Sequence, residues 1–120
     1  MRRLAAIGII LALVAPPLLA GQFEDGVKFY EARDYTRALL SFGQAAAQGD
    51  AIAQYNLGLM HARGQGIRKN YVEAHKWWSL AEASGDRSAG KNRRAVEKLM
   101  TPEQIAEAQR RASERREVRR

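Results

Sequence analysis

Two histidines, a tryptophan pair, a glutamine between glycines and a set of arginine pairs are the residues of this 120-residue chain that invite a chemical reading. His61 and His75 could ligate a metal or act as bases. Two ligands are too few for zinc, no HxxxH or HxxE spacing supports them, and the chain has no cysteine. A histidine base also needs a nucleophile in recognisable context, and none stands beside either imidazole in sequence. Gly64-Gln65-Gly66 resembles a phosphate cradle only in isolation. A phosphate loop follows a strand and continues into Gly-Lys-Ser/Thr or a third glycine. Here the three residues read as a helix stop followed by a turn. No catalytic set, metal or cofactor is implied, and the chain reads as a non-enzyme whose chemistry is recognition. For that, Trp77 and the pairs Arg110-Arg111 and Arg115-Arg116 are the most conspicuous groups.

The elements that position these residues follow from an internal repeat. Sliding the chain on itself by 36 aligns Tyr35 with Tyr71, Ala38 with Ala74, Phe42 with Trp78, Ala45 with Ala81, Gly49 with Gly85 and Asp50 with Asp86. Small residues recurring at i and i+7, with an aromatic at i+4, mark one face of a helix. The glycine ends it and the aspartate caps the next one. Helices are predicted over 23–32, 35–48, 51–62, 71–84 and 87–100. A sixth starts at Thr101-Pro102 with a capping box to Gln104, and frays near residue 115. No segment alternates with period two for long enough to make a strand. Helices joined by tight turns form hairpins, and hairpins must stack to bury their apolar faces. The fold class is therefore all-α: antiparallel helix hairpins in a short right-handed α-solenoid. Its units are about 23–50 and 51–86, with a cap over 87–100, making a repeat domain of 21–100. A basic segment, 101–120, follows.

Ahead of the repeats, Met1-Arg2-Arg3, an apolar run to Ala15, the break at Pro16-Pro17 and a small residue at Ala20 are ordered like a secretory signal peptide cut near Ala20. Twelve uninterrupted apolar residues span only about 18 Å, against the roughly 30 Å of a bilayer core. Cleavage and a periplasmic or secreted protein are expected, with an uncleaved N-terminal anchor as the alternative. Beyond residue 20 no transmembrane span is expected. The chain carries 20 basic and 13 acidic side chains. Residues 21–86 hold 7 and 8 of them respectively, whereas 87–120 hold 11 and 5, so the positive charge gathers at the C-terminal end.

The stretch Ala53-Gln54-Tyr55-Asn56-Leu57-Gly58-Leu59-Met60, then Gly64-Gln65-Gly66-Ile67, then Ala74-His75-Lys76-Trp77-Trp78-Ser79-Leu80-Ala81-Glu82-Ala83-Ser84-Gly85 resembles a Sel-1-like repeat. It departs from that family's pattern at Met60-His61, near a usual aromatic, and at Glu82, in place of an alanine. The first unit has a shorter inter-helix loop and resembles a tetratricopeptide unit. The resemblance implies protein–protein binding on a concave surface of the helices over 23–32, 51–62 and 87–100, without shared catalytic residues. Tyr30, Tyr55, Met60 and His61 are the candidate contacts there. Trp78 aligns with Phe42 and belongs to the core. Trp77 aligns with Ser41, points about 100° away, and is a candidate partner contact. Arg110, Arg111, Arg115 and Arg116 are candidates for contact with an anionic envelope component, as the alternative function, against a solvated and partly frayed helix. Nucleic acid is disfavoured, and a small surface makes weak binding or self-association the expectation.

Overall fold

In the computed structural model, the residues described are 21–118, so the expected leader over 1–20 lies outside them. Asp34, Asp50, Asn70 and Asp86 each accept hydrogen bonds from the first free amides of the helix that follows. Thr101 and Gln104 cap each other reciprocally at the last start, the Gln104 amide donating to Thr101 Oγ1 and the Thr101 amide to Gln104 Oε1. These caps open five of six helices: α1 (Gln22–Glu31), α2 (Tyr35–Ala47), α3 (Ala51–Arg63), α4 (Tyr71–Ala83), α5 (Arg87–Glu97) and α6 (Pro102–Val118). No strand occurs among the described residues. Gly49 and Gly85 follow α2 and α4 at φ 97° and 104°, the left-handed conformation that a helix stop of this kind requires.

The two hairpins, α1–α2 and α3–α4, close in the same way. In the first, a Cβ placed on Gly26 would stand 2.6 Å from the Phe42 ring. In the second, a Cβ on Gly58 would fall inside the indole of Trp78. Phe42 and Trp78 are 2% and 4% exposed, and so occupy equivalent buried slots, as the offset of 36 requires. Trp78 Nε1 donates to the Tyr55 carbonyl at 3.1 Å, which satisfies its one polar group. Alanines 38, 45, 46, 74 and 81 let the helix backbones approach around these rings. The described chain is an all-α helical repeat solenoid.

The third unit departs from this plan. α5 packs on α4, but α6 does not close a hairpin with α5; it leans on α4 instead. Ala108 and Ala112 are fully buried, and Ala112 joins the cluster of Ala45, Ala46, Leu57, Met60, Trp77 and Leu80. The C-terminal helix is thus a docked element that runs to Val118 and not a solvated tail fraying near 115. The reason is visible in its residues. Small alanines one turn apart give a face narrow enough to enter the groove between α2 and α4. Conversely, α5 ends earlier than expected, at Glu97 instead of residue 100.

Candidate functional site

On the side where α1, α3 and α5 line up, two adjoining hollows form one continuous groove. The first, of 330 Å³, lies between α1 and α3 and is lined by Val27, Tyr30, Asn56, Leu59 and Arg63. The second, of 290 Å³, shares Leu59 and Arg63 and adds Asn92 and Val96 from α5 and Leu99 just after it. Periodicity places these side chains together. Asn56, Leu59 and Arg63 are one turn apart on α3, and Asn92, Val96 and Leu99 are so on α5 and just beyond it. Most of the lining is apolar; its polar groups are the carboxamides of Asn56 and Asn92, the Arg63 guanidinium, the Glu31 carboxylate and the hydroxyls of Tyr30 and Tyr71, and Leu99 is 64% exposed. Such a surface can hold an extended chain, with apolar side chains against Leu59 and Leu99 and backbone groups against the carboxamides. The geometry offers no group arranged for covalent chemistry.

Of the residues singled out from sequence, Tyr30 lines this groove. Its hydroxyl donates to Gln65 Oε1 at 3.1 Å, and its ring leans on Tyr35 with centroids 5.1 Å apart. Tyr55 is half-buried against the cluster around Trp78 and lines neither hollow; its hydroxyl accepts from Asn92 Nδ2 at 3.2 Å. Met60 is fully buried and packs on the opposite side of α3, so it offers nothing to a partner. His61, 8% exposed, is likewise inside. Burial pushes the His61 imidazole below its ordinary value; Glu73 opposes that shift and Lys76 reinforces it.

Trp77 corrects a further expectation. It does point away from Trp78, but α6 covers it, leaving it 7% exposed. The Lys76 ammonium sits 4.4 Å from its ring centroid and the Arg115 guanidinium 4.8 Å. It is a core residue under a cationic lid and not a contact waiting for a partner. Sequence reasoning assumed that an outward direction meant solvent, and missed that α6 supplies the missing neighbour.

Of the arginine pairs, Arg110 and Arg111 are bound to the fold's own carboxylates. Arg111 donates to Glu73 on α4 at 2.7 Å and to Glu107 at 2.8 Å. Arg110 bonds both Glu107 and Glu114. Together the hydrogen bonds from Arg110 and Arg111 hold the Glu107 carboxyl down at about 2. Burial pushes Glu73 up, but its bonds to Lys76 and Arg111 outweigh that and leave it below the usual carboxylate range. Arg115 and Arg116 make no ion pair among the described residues; Arg115 instead covers Trp77.

The two histidines are not brought to a common centre. His75 is fully buried; its Nε2 lies 2.8 Å from Glu97 Oε1 and its Nδ1 3.3 Å from Ser79 Oγ. Serine, imidazole and carboxylate in a row have the order of a nucleophile, base and acid. The geometry defeats that reading: Ser79 Oγ donates its proton to the His75 carbonyl at 2.8 Å, and no substrate can reach a fully enclosed ring. The row is a structural tie between α4 and α5. Its hydrogen bond to His75 is the main reason the Glu97 carboxyl lies below its ordinary value, with Arg93 assisting. Among the described residues no cluster of three histidine, aspartate or glutamate side chains could hold a metal ion.

The groove residues Asn56, Leu59, Arg63, Asn92 and Leu99 were not singled out from sequence. The repeat offset contained them, since Asn56 aligns with Asn92 and Arg63 with Leu99.

Comparison with known proteins agrees with this architecture. The profile of the Sel1 repeat matches residues 20–50 and again 51–86. Among solved structures, a protective antigen present in uropathogenic Escherichia coli strains and displaying an SLR fold is similar at a TM-score of 0.79 and 28% identity. That similarity covers 82% of this chain and 22% of the antigen, so this chain spans about a fifth of its length. No curated protein sequence matches.

Proposed function

We propose, from the premise that this chain belongs to the Sel1 repeat family, that it is a non-catalytic adaptor which holds an extended segment of another protein in the groove formed by α1, α3 and α5. The family and the fold carry the coarse statement, a protein–protein interaction module. The observation that supports the finer one is the continuity of the two hollows through Leu59 and Arg63. A groove that runs across three helices suits a chain crossing them, and its exposed Leu99 is a large apolar side chain with no neighbour to cover it. Export belongs to this reading and rests on the order of basic, apolar and small residues in 1–20. Among the described residues no helix is long and apolar enough to cross a membrane.

Photo-crosslinking in cells tests it. A crosslinker replacing Asn56 or Leu99 should capture a discrete protein, and one replacing Leu40, exposed on α2 outside the groove, should not. Capture from Leu40 alone, or from none of the three, would overturn the groove as the binding surface.

A further inference from the structure

Among the described residues, the excess positive charge sits elsewhere than the arginine pairs suggest. Within α6, four arginines are balanced by four glutamates. Helix α5 with Lys98 carries five cations and one carboxylate, Glu97. Of those five, Arg93 is bound inward to Glu82 and Glu97. The other four, Arg87, Lys91, Arg94 and Lys98, are all exposed. Their spacing of four, three and four residues puts them within a sector of about 60° on the helix, along a line of ~16 Å.

The carboxylates around α5 are otherwise engaged. Asp86 caps the helix through the amides of Ser88 and Ala89. Glu97 is shared by His75 and Arg93. Glu82 binds Arg93 at 3.1 Å and reaches Arg94 only at 3.6 Å. Among the described residues, Arg87, Lys91 and Lys98 have no ion-pair partner. A polar cap on a solenoid needs only to be hydrophilic, and mixed signs would serve. A single-sign row instead puts like charges at i,i+3 and i,i+4, which destabilises the helix itself.

The position of this row in the repeat says what it faces. Shifted by 36, Lys91, Arg94 and Lys98 correspond to Tyr55, Gly58 and Ala62 on α3. That is the face α3 turns to its own hairpin partner: Gly58 lies against the Trp78 indole, the Tyr55 carbonyl accepts from that indole, and Ala62 packs in the same cluster. On α5 the corresponding face meets no helix, because α6 has gone to α4. A helix-shaped position at the end of the solenoid is therefore open, and it is lined by four cations where the preceding unit has small residues and a tyrosine.

We propose that this face of α5 receives an acidic helix of a partner protein, one with carboxylates at i, i+4, i+7 and i+11. A line of charge repeating at helical spacing is complementary to another helix, and less so to a plane of lipid headgroups. A second copy of this chain fits poorly. The acidic residues of its α1, the free helix at the other end, have Lys28 between Glu24 and Glu31 on the same face.

The probe is a synthetic helical peptide with glutamate at those four positions, titrated against the full chain by fluorescence anisotropy and by amide chemical shifts. Binding should weaken with salt, shift α5 amides, and fall on the order of tenfold in K91E/R94E, whose circular dichroism and melting should match the parent. A peptide of equal composition with its glutamates scattered around the helix should bind several-fold less tightly. Equal binding of the scattered peptide reduces the row to unspecific charge attraction and overturns the proposal. Unchanged binding in K91E/R94E, or an equal loss in R110E/R116E, overturns it too. So does binding to vesicles of anionic lipid with none to the peptide, or self-association that the peptide does not displace. Shifts at Asn56 and Leu59 instead of α5 would place the peptide in the groove and would leave the adaptor reading standing without this one.

Discussion

Replacing Trp77 by alanine separates a partner contact from a core residue. In the first case the variant would lose a ligand and keep its fold. The structure requires the reverse. Trp77 is 7% exposed, in the cluster that holds Met60, Leu80 and Ala112 together. Truncating a buried tryptophan costs about 3–5 kcal/mol in lost transfer energy and cavity. Two cations over its ring, Lys76 at 4.4 Å and Arg115 at 4.8 Å, add a contribution on the order of 1 kcal/mol that only an aromatic preserves. For a domain of this size each kcal/mol lowers the melting temperature by roughly 4–8 °C, so a fall of more than about 12 °C is expected. Urea titration followed by far-UV circular dichroism gives the free energy. Limited trypsin digestion gives the location, since α6 should become cleavable at Arg110 and Arg111 before the repeats unfold. Trp77→Phe keeps a ring for both cations and should lose less than half as much. A Trp77→Ala loss under about 1 kcal/mol, with α6 no more sensitive to trypsin, would refute the docking of α6 over this residue.

Gly58→Ala should destabilise by about 1–3 kcal/mol through overpacking, because its Cβ would collide with the Trp78 indole; a neutral result in the same urea titration would contradict the close approach of α3 and α4. Acid should weaken the fold in two stages. The His61 imidazole is held below its ordinary 6.5 by burial, so the unfolded chain takes a proton that the folded one refuses, and stability falls as pH drops through 6.5. Glu73 and Glu97 lie below their ordinary 4.5, so their contribution is present above that value and is lost below it. Urea midpoints across this range should show both steps, and His61→Gln should flatten the upper one alone. Asp50→Ala removes the acceptor for the amides of Ile52 and Ala53 and should cost about 1 kcal/mol, measured by the same midpoint.

Most of the fold could be read from residue spacing because each helix start is a local event. Asp34, Asp50, Asn70, Asp86 and Thr101 cap by reaching two or three residues along the chain, and the sequence shows that much directly. The pairing of Phe42 with Trp78 was legible for the same reason, as a repeated face with a repeated glycine opposite. A shared face of the inner helices was legible, but of the side chains singled out on it only Tyr30 lines the hollows found there. Tyr30, Tyr55 and Met60 look alike as large apolar side chains. Whether one lines a groove or fills a core depends on a rotation of about 100° per residue, judged against neighbours not yet placed. The fate of Trp77 and of the arginine pairs was not legible at all. Both depend on where α6 lands, and α6 is joined to α5 by a turn that does not dictate it.

The landing of α6 follows from a failure of the repeat, and its two consequences have one cause. By the offset of 36, the hairpin face formed by Ala74, Trp78 and Ala81 on α4 would fall at Arg110, Glu114 and Glu117 on α6. Charged side chains there cannot enter a hairpin with α5, and α5 presents charges in return. What α6 retains is the alanine pair at 108 and 112 on a different face, and that face fits the groove over Trp77. Arg110 and Arg111 then find Glu73 across the groove and Glu107 and Glu114 along their own helix, which neutralises those two. The same substitution of charge for small residues therefore closes the solenoid on its outer side and opens it at its end. A binding experiment that deletes only Arg110 and Arg111 would probe groups already matched by carboxylates, whereas Arg87, Lys91 and Lys98 on α5 and beside it have no ion-pair partner among the described residues.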